Sequence, residues 1–114
     1  MRKLIENVIQ WARDRNIIEG STSIKQLDKT SEEFNELQRA VAAFFLAREL
    51  CLWNVEEDSY SAIRDAYGDV LVTLIISAHQ LGIDLEDALA AAYEEIKDRR
   101  GVLRNGVFVK ESDL

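Results

Sequence analysis

The chain has 114 residues, 47% of them hydrophobic and 31% charged, with no proline. That length supports one domain with its own core, and the composition favours a helical globular protein. The net charge of −7 argues against a nucleic-acid backbone as partner, because such binders cluster Lys and Arg. It leaves room for a nucleotide, whose triphosphate brings Mg2+ with it. The single cysteine, Cys51, excludes an intrachain disulfide and fits a reducing compartment. The longest apolar stretch, residues 70–76, is interrupted by Thr73 and too short for a bilayer. The N-terminal residues have no uninterrupted apolar run of the signal-peptide kind. The expectation is a soluble, cytoplasmic protein with neither a membrane nor a nucleic-acid partner.

In chain order, residues 2–15 place Leu4, Ile5, Val8, Ile9 and Ala12 at helical spacing, with Trp11 beside that stripe. Trp11 is most simply a lid on the core; stacking on a nucleobase is the alternative. Residues 16–20 close the helix and turn the chain. Ser23 and Gln26 have the spacing of a capping box, so a long second helix is expected over 24–50. Leu27, Phe34, Leu37, Val41, Phe44 and Phe45 are its expected buried stripe. Gln26, Lys29, Glu33, Glu36 and Ala40 run along another face at 3-4-3-4 spacing, able to line a cleft or to face solvent. Arg39 and Arg48 read as surface charges, and Cys51 as a small buried hydrophobe.

A third helix is firm over 60–80, its start set either by Asn54 with Glu57 or by Asp58-Ser59. Ile63, Tyr67, Val70, Leu71, Leu74 and Ala78 form one face, while Val72, Ile76 and Leu81 add apolar character elsewhere. A helix apolar nearly all round is buried on more than one side, which in so short a chain suggests a subunit interface. Gly68 interrupts this helix, either for close packing or for a ligand. His79, the one histidine, has no second His or Cys to form a transition-metal set and reads as structural. Gly82 ends the helix and Asp84 starts a fourth, with Leu85, Ala88, Leu89, Ala92 and Ile96 toward the core. Lys97, Arg99 and Arg100 crowd its last turn, where cations suit the dipole. Residues 106–110 look extended.

Two acidic clusters carry whatever chemistry is present. Neighbours three or four apart share a helix face, so Glu33 and Glu36 point one way on the second helix. Asp65 and Asp69 do the same on the third. Carboxylates beside an apolar stripe are costly unless neutralised. Two such pairs face to face invite a hard divalent cation, here Mg2+. A solvated acidic face carrying ordinary ion pairs is the plainer reading of the same spacing. No serine or cysteine triad and no glycine-rich phosphate loop is present.

The run Gln26-x-x-Lys29-x-x-Glu33-x-x-Glu36-Leu37, with Glu32 completing a Glu-Glu-x-x-Glu motif, resembles the MazG-like all-α nucleoside triphosphate pyrophosphohydrolases. The small single-domain forms of phages and bacteria are the most similar. Asp65-Ala66-Tyr67-Gly68-Asp69-Val70-Leu71 is the second carrier of the resemblance, and residues 96–111 the third. The chain departs from the wider family at position 66, where Glu-x-x-Asp would put a carboxylate and Ala66 stands instead. Asp65 lies one position earlier. The resemblance implies a four-helix-type all-α fold with a short extended C-terminal tail, completed by assembly into a homodimer or homotetramer. It also implies Mg2+-dependent hydrolysis of a nucleoside or deoxynucleoside triphosphate to the monophosphate and pyrophosphate. On that basis Glu33, Glu36, Asp69 and Asp65 are the expected metal ligands, and Glu32 or Asp65 the group that activates water. Lys29, Gln26, Lys97 and Arg100 are candidate substrate contacts. Trp53 or Phe108 would select the base and sugar. The competing expectation is a catalytically weak or inactive helical oligomer acting as a scaffold. A metal hydrolase of another phosphate compound, such as a nucleotide-sugar or an alarmone, is a third.

Overall fold

The computed structural model describes residues 1–114, apart from the side chains of residues 55 and 56. It divides into two units, Met1–Ile83 and Asp84–Leu114.

The first unit is helical. Helix α1 (Arg2–Asp14) ends at Arg15, and Asn16 then takes a left-handed conformation (φ 59°) that sets off a single turn, α2 (Ile17–Gly20). Helix α3 (Ser23–Glu49) starts one residue ahead of the expected box. Thr22 is its N-cap, with Oγ1 accepting from the Lys25 amide, while the Gln26 amide donates to Ser21 Oγ at 3.1 Å. Thr22 was overlooked because Ser23 has the same chemistry one position on, and only the extended backbone of Thr22 decides between them.

Helix α4 (Trp53–Gln80) begins earlier than either expected cap, with Leu52 as N-cap and no capping side chain. Tight turning of residues 50–52 sets that start. Cys51 adopts φ 54°, and the Leu52 amide donates back to Ala47 O. Cys51 is exposed in this turn, so the expectation of a buried thiol is corrected. Val55 and Glu56, inside the Asn54–Glu57 capping reading, lie outside the described side chains.

Helices α3 and α4 pack side by side as an antiparallel pair, and α1 and α2 lie against α4. The Thr30 hydroxyl donates to Thr73 Oγ1 at 2.8 Å across the pair, and Thr73 donates in turn to Val70 O. Gln80 ties down α2 by donating to the carbonyl oxygens of Ile17 and Ile18. The core runs through Ala12, Leu37, Ala47, Ala66, Ile75, Ile76 and Ala78. Ile76, expected on an outward apolar face, is therefore covered within the chain. Leu27, Phe34, Phe45, Tyr67 and Leu71, expected inside, are exposed.

In the second unit, Asp84 caps helix α5 (Leu85–Ile96), its carboxylate accepting from the amides of Glu86 and Asp87. Leu89 and Ile96 are exposed, because a short helix and a hairpin enclose little volume of their own. Strand β1 (Gly101–Arg104) pairs antiparallel with β2 (Val107–Lys110). The turn between them is Asn105-Gly106, both at positive φ (52° and 77°), the two-residue hairpin turn whose twist matches that of the strands. The chain is thus all-α apart from this hairpin, and the extended tail expected at 106–110 is its second strand. Among the described residues no single helix is long and apolar enough to cross a membrane.

Candidate functional site

The polar stripe of α3 meets α4 in a cleft. Gln26, Lys29, Glu32 and Glu33 line it from α3, Asp69, Val72, Thr73 and Ile76 from α4, and Trp11 and Ile17 from the first two helices; its volume is about 830 Å3. Both acidic motifs, distant in sequence, therefore open into one space.

The helix register explains this. Thr30 stands opposite Thr73, and the Phe44 ring lies 6.1 Å from the Tyr60 ring. Between those two crossings Glu33 falls level with Val70, and Glu36 level with Tyr67. At about 100° per residue, Glu36 follows Glu33 on the cleft side of α3, and Asp65 precedes Asp69 on the cleft side of α4. Neither Glu36 nor Asp65 is in the cleft wall, and both are exposed. Ala66 is buried. Position 66 points into the helix packing, so Asp65 is the neighbour that shares Asp69's side.

Glu33 is the most enclosed of the acids, its side chain only 12% exposed. Lys29 Nζ sits 3.4 Å from Glu33 and 3.5 Å from Glu32. Hydrogen bonding to Glu33, then the charge of Glu32, holds the Lys29 ammonium above its ordinary pKa. Lysine thus counterbalances the acids of α3. Among the described residues no three His, Cys, Asp or Glu side chains converge as a ready-made ligand set. Mg2+ does not require one, since it keeps several waters and is commonly held by one or two carboxylates together with substrate phosphates. The hard oxygen donors of Glu33 and Asp69, on facing walls of the cleft, fit that pattern.

Trp11 is half-exposed in the cleft wall, with the Arg15 guanidinium 4.7 Å from its ring. It also borders an apolar groove of about 400 Å3 that shares Asp69 and Val72 with the cleft and continues to Leu4, Asn7 and Val8. The sequence offered Trp11 mainly as a core lid; its place beside an otherwise regular apolar stripe was the available signal. Trp53 stands at the start of α4, outside the cleft wall. Lys97 and Arg100 belong to the second unit, Lys97 paired with Glu94 at 2.8 Å and Arg100 in a concavity with Arg99, Lys110 and Ser112. His79 Nε2 lies 3.3 Å from Arg13 Nη2 at the far end of α4, a structural place.

The chain has a phage relative. It is 38% identical over 84 residues to the uncharacterized 18.2 kDa protein of the rep-hol intergenic region of Haemophilus phage HP1. The match covers 74% of this chain and 43% of that protein, so the chain spans less than half of the relative's length. No protein-family model matches the sequence. No solved structure matches it either.

Proposed function

We propose that the cleft hydrolyses a nucleoside or deoxynucleoside triphosphate to the monophosphate and pyrophosphate. One observation carries this reading: the Lys29–Glu33 stripe of α3 and Asp69 of α4 line the same cleft, with a tryptophan in its wall. Acid, base and aromatic surface are what a nucleotide with its counter-cation needs. The resemblance to MazG-like hydrolases, read from the sequence, supports it.

Glu33 and Asp69 are the residues that would hold Mg2+, with Glu36 and Asp65 next to them along the same helix sides. When bound, the ion offsets charge on the phosphate oxygens. Lys29, kept protonated by its acidic neighbours, binds the phosphate chain once it leaves Glu33. Glu32 or Asp65 orients the attacking water and takes its proton. Trp11 offers a flat apolar wall to the base, and the Gln26 amide a polar edge.

The test is product analysis with Mg2+ and a panel of ribo- and deoxyribonucleoside triphosphates. Monophosphate plus pyrophosphate, abolished by EDTA, is expected. Diphosphate plus orthophosphate would keep a metal hydrolase and reject this bond cleavage. The exposed aromatic residues of α3 and α4 favour one second reading, a scaffold without turnover, and no reaction with any nucleotide would select it.

A further inference from the structure

We propose that the apolar groove between α1 and α4 is a second nucleoside subsite, joined to the cleft at Asp69, and that dinucleoside polyphosphates are substrates of the joint site. The inference rests on the reading of the cleft as a hydrolase. It extends that reading to phosphoanhydrides with a nucleoside at each end.

The groove follows from helix periodicity. Leu4, Asn7, Val8 and Trp11 stand three and four residues apart on α1 and so share one face. Asp69 and Val72, one turn apart on α4, complete its lining, and its volume is about 400 Å3. From Leu4 to Trp11 the axis of α1 rises about 10 Å, the length of a nucleoside. Leu4 is 64% and Trp11 43% exposed, apolar surface that a flat ligand would take out of water.

Trp11, Asp69 and Val72 line the cleft as well. Two spaces therefore meet at one of the carboxylates assigned to the metal, and a phosphate held there has an opening on either side. Their linings differ. The cleft carries Lys25 and Lys29 beside its acids, whereas Asp69 is the one charge among the residues lining the groove. Nothing in that lining neutralises a phosphate chain. The Asn7 amide has donors and an acceptor for the edge of a base, and Leu4, Val8 and Trp11 suit its faces. Apolar walls with a few placed polar groups are the make-up of a small-molecule site. A triphosphate with one base occupies only the cleft. A phosphate chain closed by a second nucleoside fills both spaces.

The chemistry is the same bond cleavage with another leaving group. In a dinucleoside triphosphate, the water oxygen bonds to the α phosphorus of the nucleoside held in the cleft. The bond from that phosphorus to the oxygen bridging it to the central phosphate breaks. The bridging oxygen leaves with its electron pair on the central phosphate, and the proton of the water passes to Glu32 or Asp65. The products are a nucleoside monophosphate and a nucleoside diphosphate, in place of monophosphate and pyrophosphate.

The test compares symmetrical dinucleoside triphosphates of the four bases, as ribo- and deoxyribonucleosides, with the triphosphate of the same nucleoside. The full chain with Mg2+ is assayed as wild type and as the double variant Leu4→Ser, Asn7→Ala, both positions being exposed. Mono- and diphosphate are expected from the wild type, with oxygen from isotopically heavy water in the monophosphate. The variant should lower the ratio of kcat/KM for dinucleotide to kcat/KM for triphosphate about ten-fold or more, the worth of a lost apolar contact. Turnover of triphosphates but of no dinucleotide overturns this proposal alone and leaves the hydrolase standing. Turnover of neither removes both. A ratio that the variant does not move also overturns it, since the groove then holds the triphosphate's own base or no base. Heavy oxygen in the diphosphate does the same, by placing attack on the central phosphorus.

Discussion

Lys29 lies between Glu32 and Glu33, and this gives the site a testable charge logic. Its folded pKa is raised, so the pairing stabilises the protein fully below the ordinary lysine value and is lost as pH rises through the raised one. Lys29→Met should therefore lower the melting temperature slightly at neutral pH, less at high salt, and not at all above that window. At the same time it should weaken binding of nonhydrolysable nucleotide. Glu33→Gln and Asp69→Asn should each cut turnover by about 10²–10³-fold if they hold charge at the reacting phosphate, with circular dichroism confirming an unchanged fold. Gly68 makes a different point. A Cβ there meets nothing within 4 Å, so Gly68→Ala should stabilise α4 by about 0.8–1 kcal/mol in urea denaturation. A stabilised variant with unchanged nucleotide affinity means the glycine serves neither packing nor ligand.

At the level of elements, the decisive bond is between the hydroxyls of Thr30 and Thr73. Thr73 is buried, and Thr73→Val keeps its volume while breaking the link, at a cost of about 1 kcal/mol. The effect is measurable as a shift of the denaturation midpoint. This bond also shows where sequence reading runs out. The long helices, the Asp84 cap and the polar stripe of α3 were legible, because periodicity and capping chemistry are local. The register of α3 against α4 was not, and with it the inward turn of Ala66 and the outward turn of Tyr67 were hidden. Nor was the hairpin recognised, although Asn105-Gly106 between Val102-Leu103 and Val107-Phe108 carries its signature. Only its second strand was legible, as the extended residues 106–110. Apolar neighbours suggest burial for Cys51, whereas the turn that passes through its left-handed backbone leaves Leu50, Cys51 and Leu52 all exposed.

Across the unit Met1–Ile83, the cleft and the exposed aromatic residues Phe45, Tyr60 and Tyr67 lie on opposite sides of one helix pair. The apolar pattern could not reveal this alone: an exposed stripe has the same residues and spacing as one that meets the chain's own core. The pairing of α3 with α4 through a turn of residues 50–52 has a further consequence, in time rather than in space. Its contacts are between segments adjacent in the chain, and such local topologies form quickly because little loop entropy is lost in closing them. Glu33 and Asp69 come together as soon as this hairpin closes, without waiting for α5 or the strands. Every residue of the cleft wall lies in the unit Met1–Ile83, so its assembly calls on no residue of the unit Asp84–Leu114.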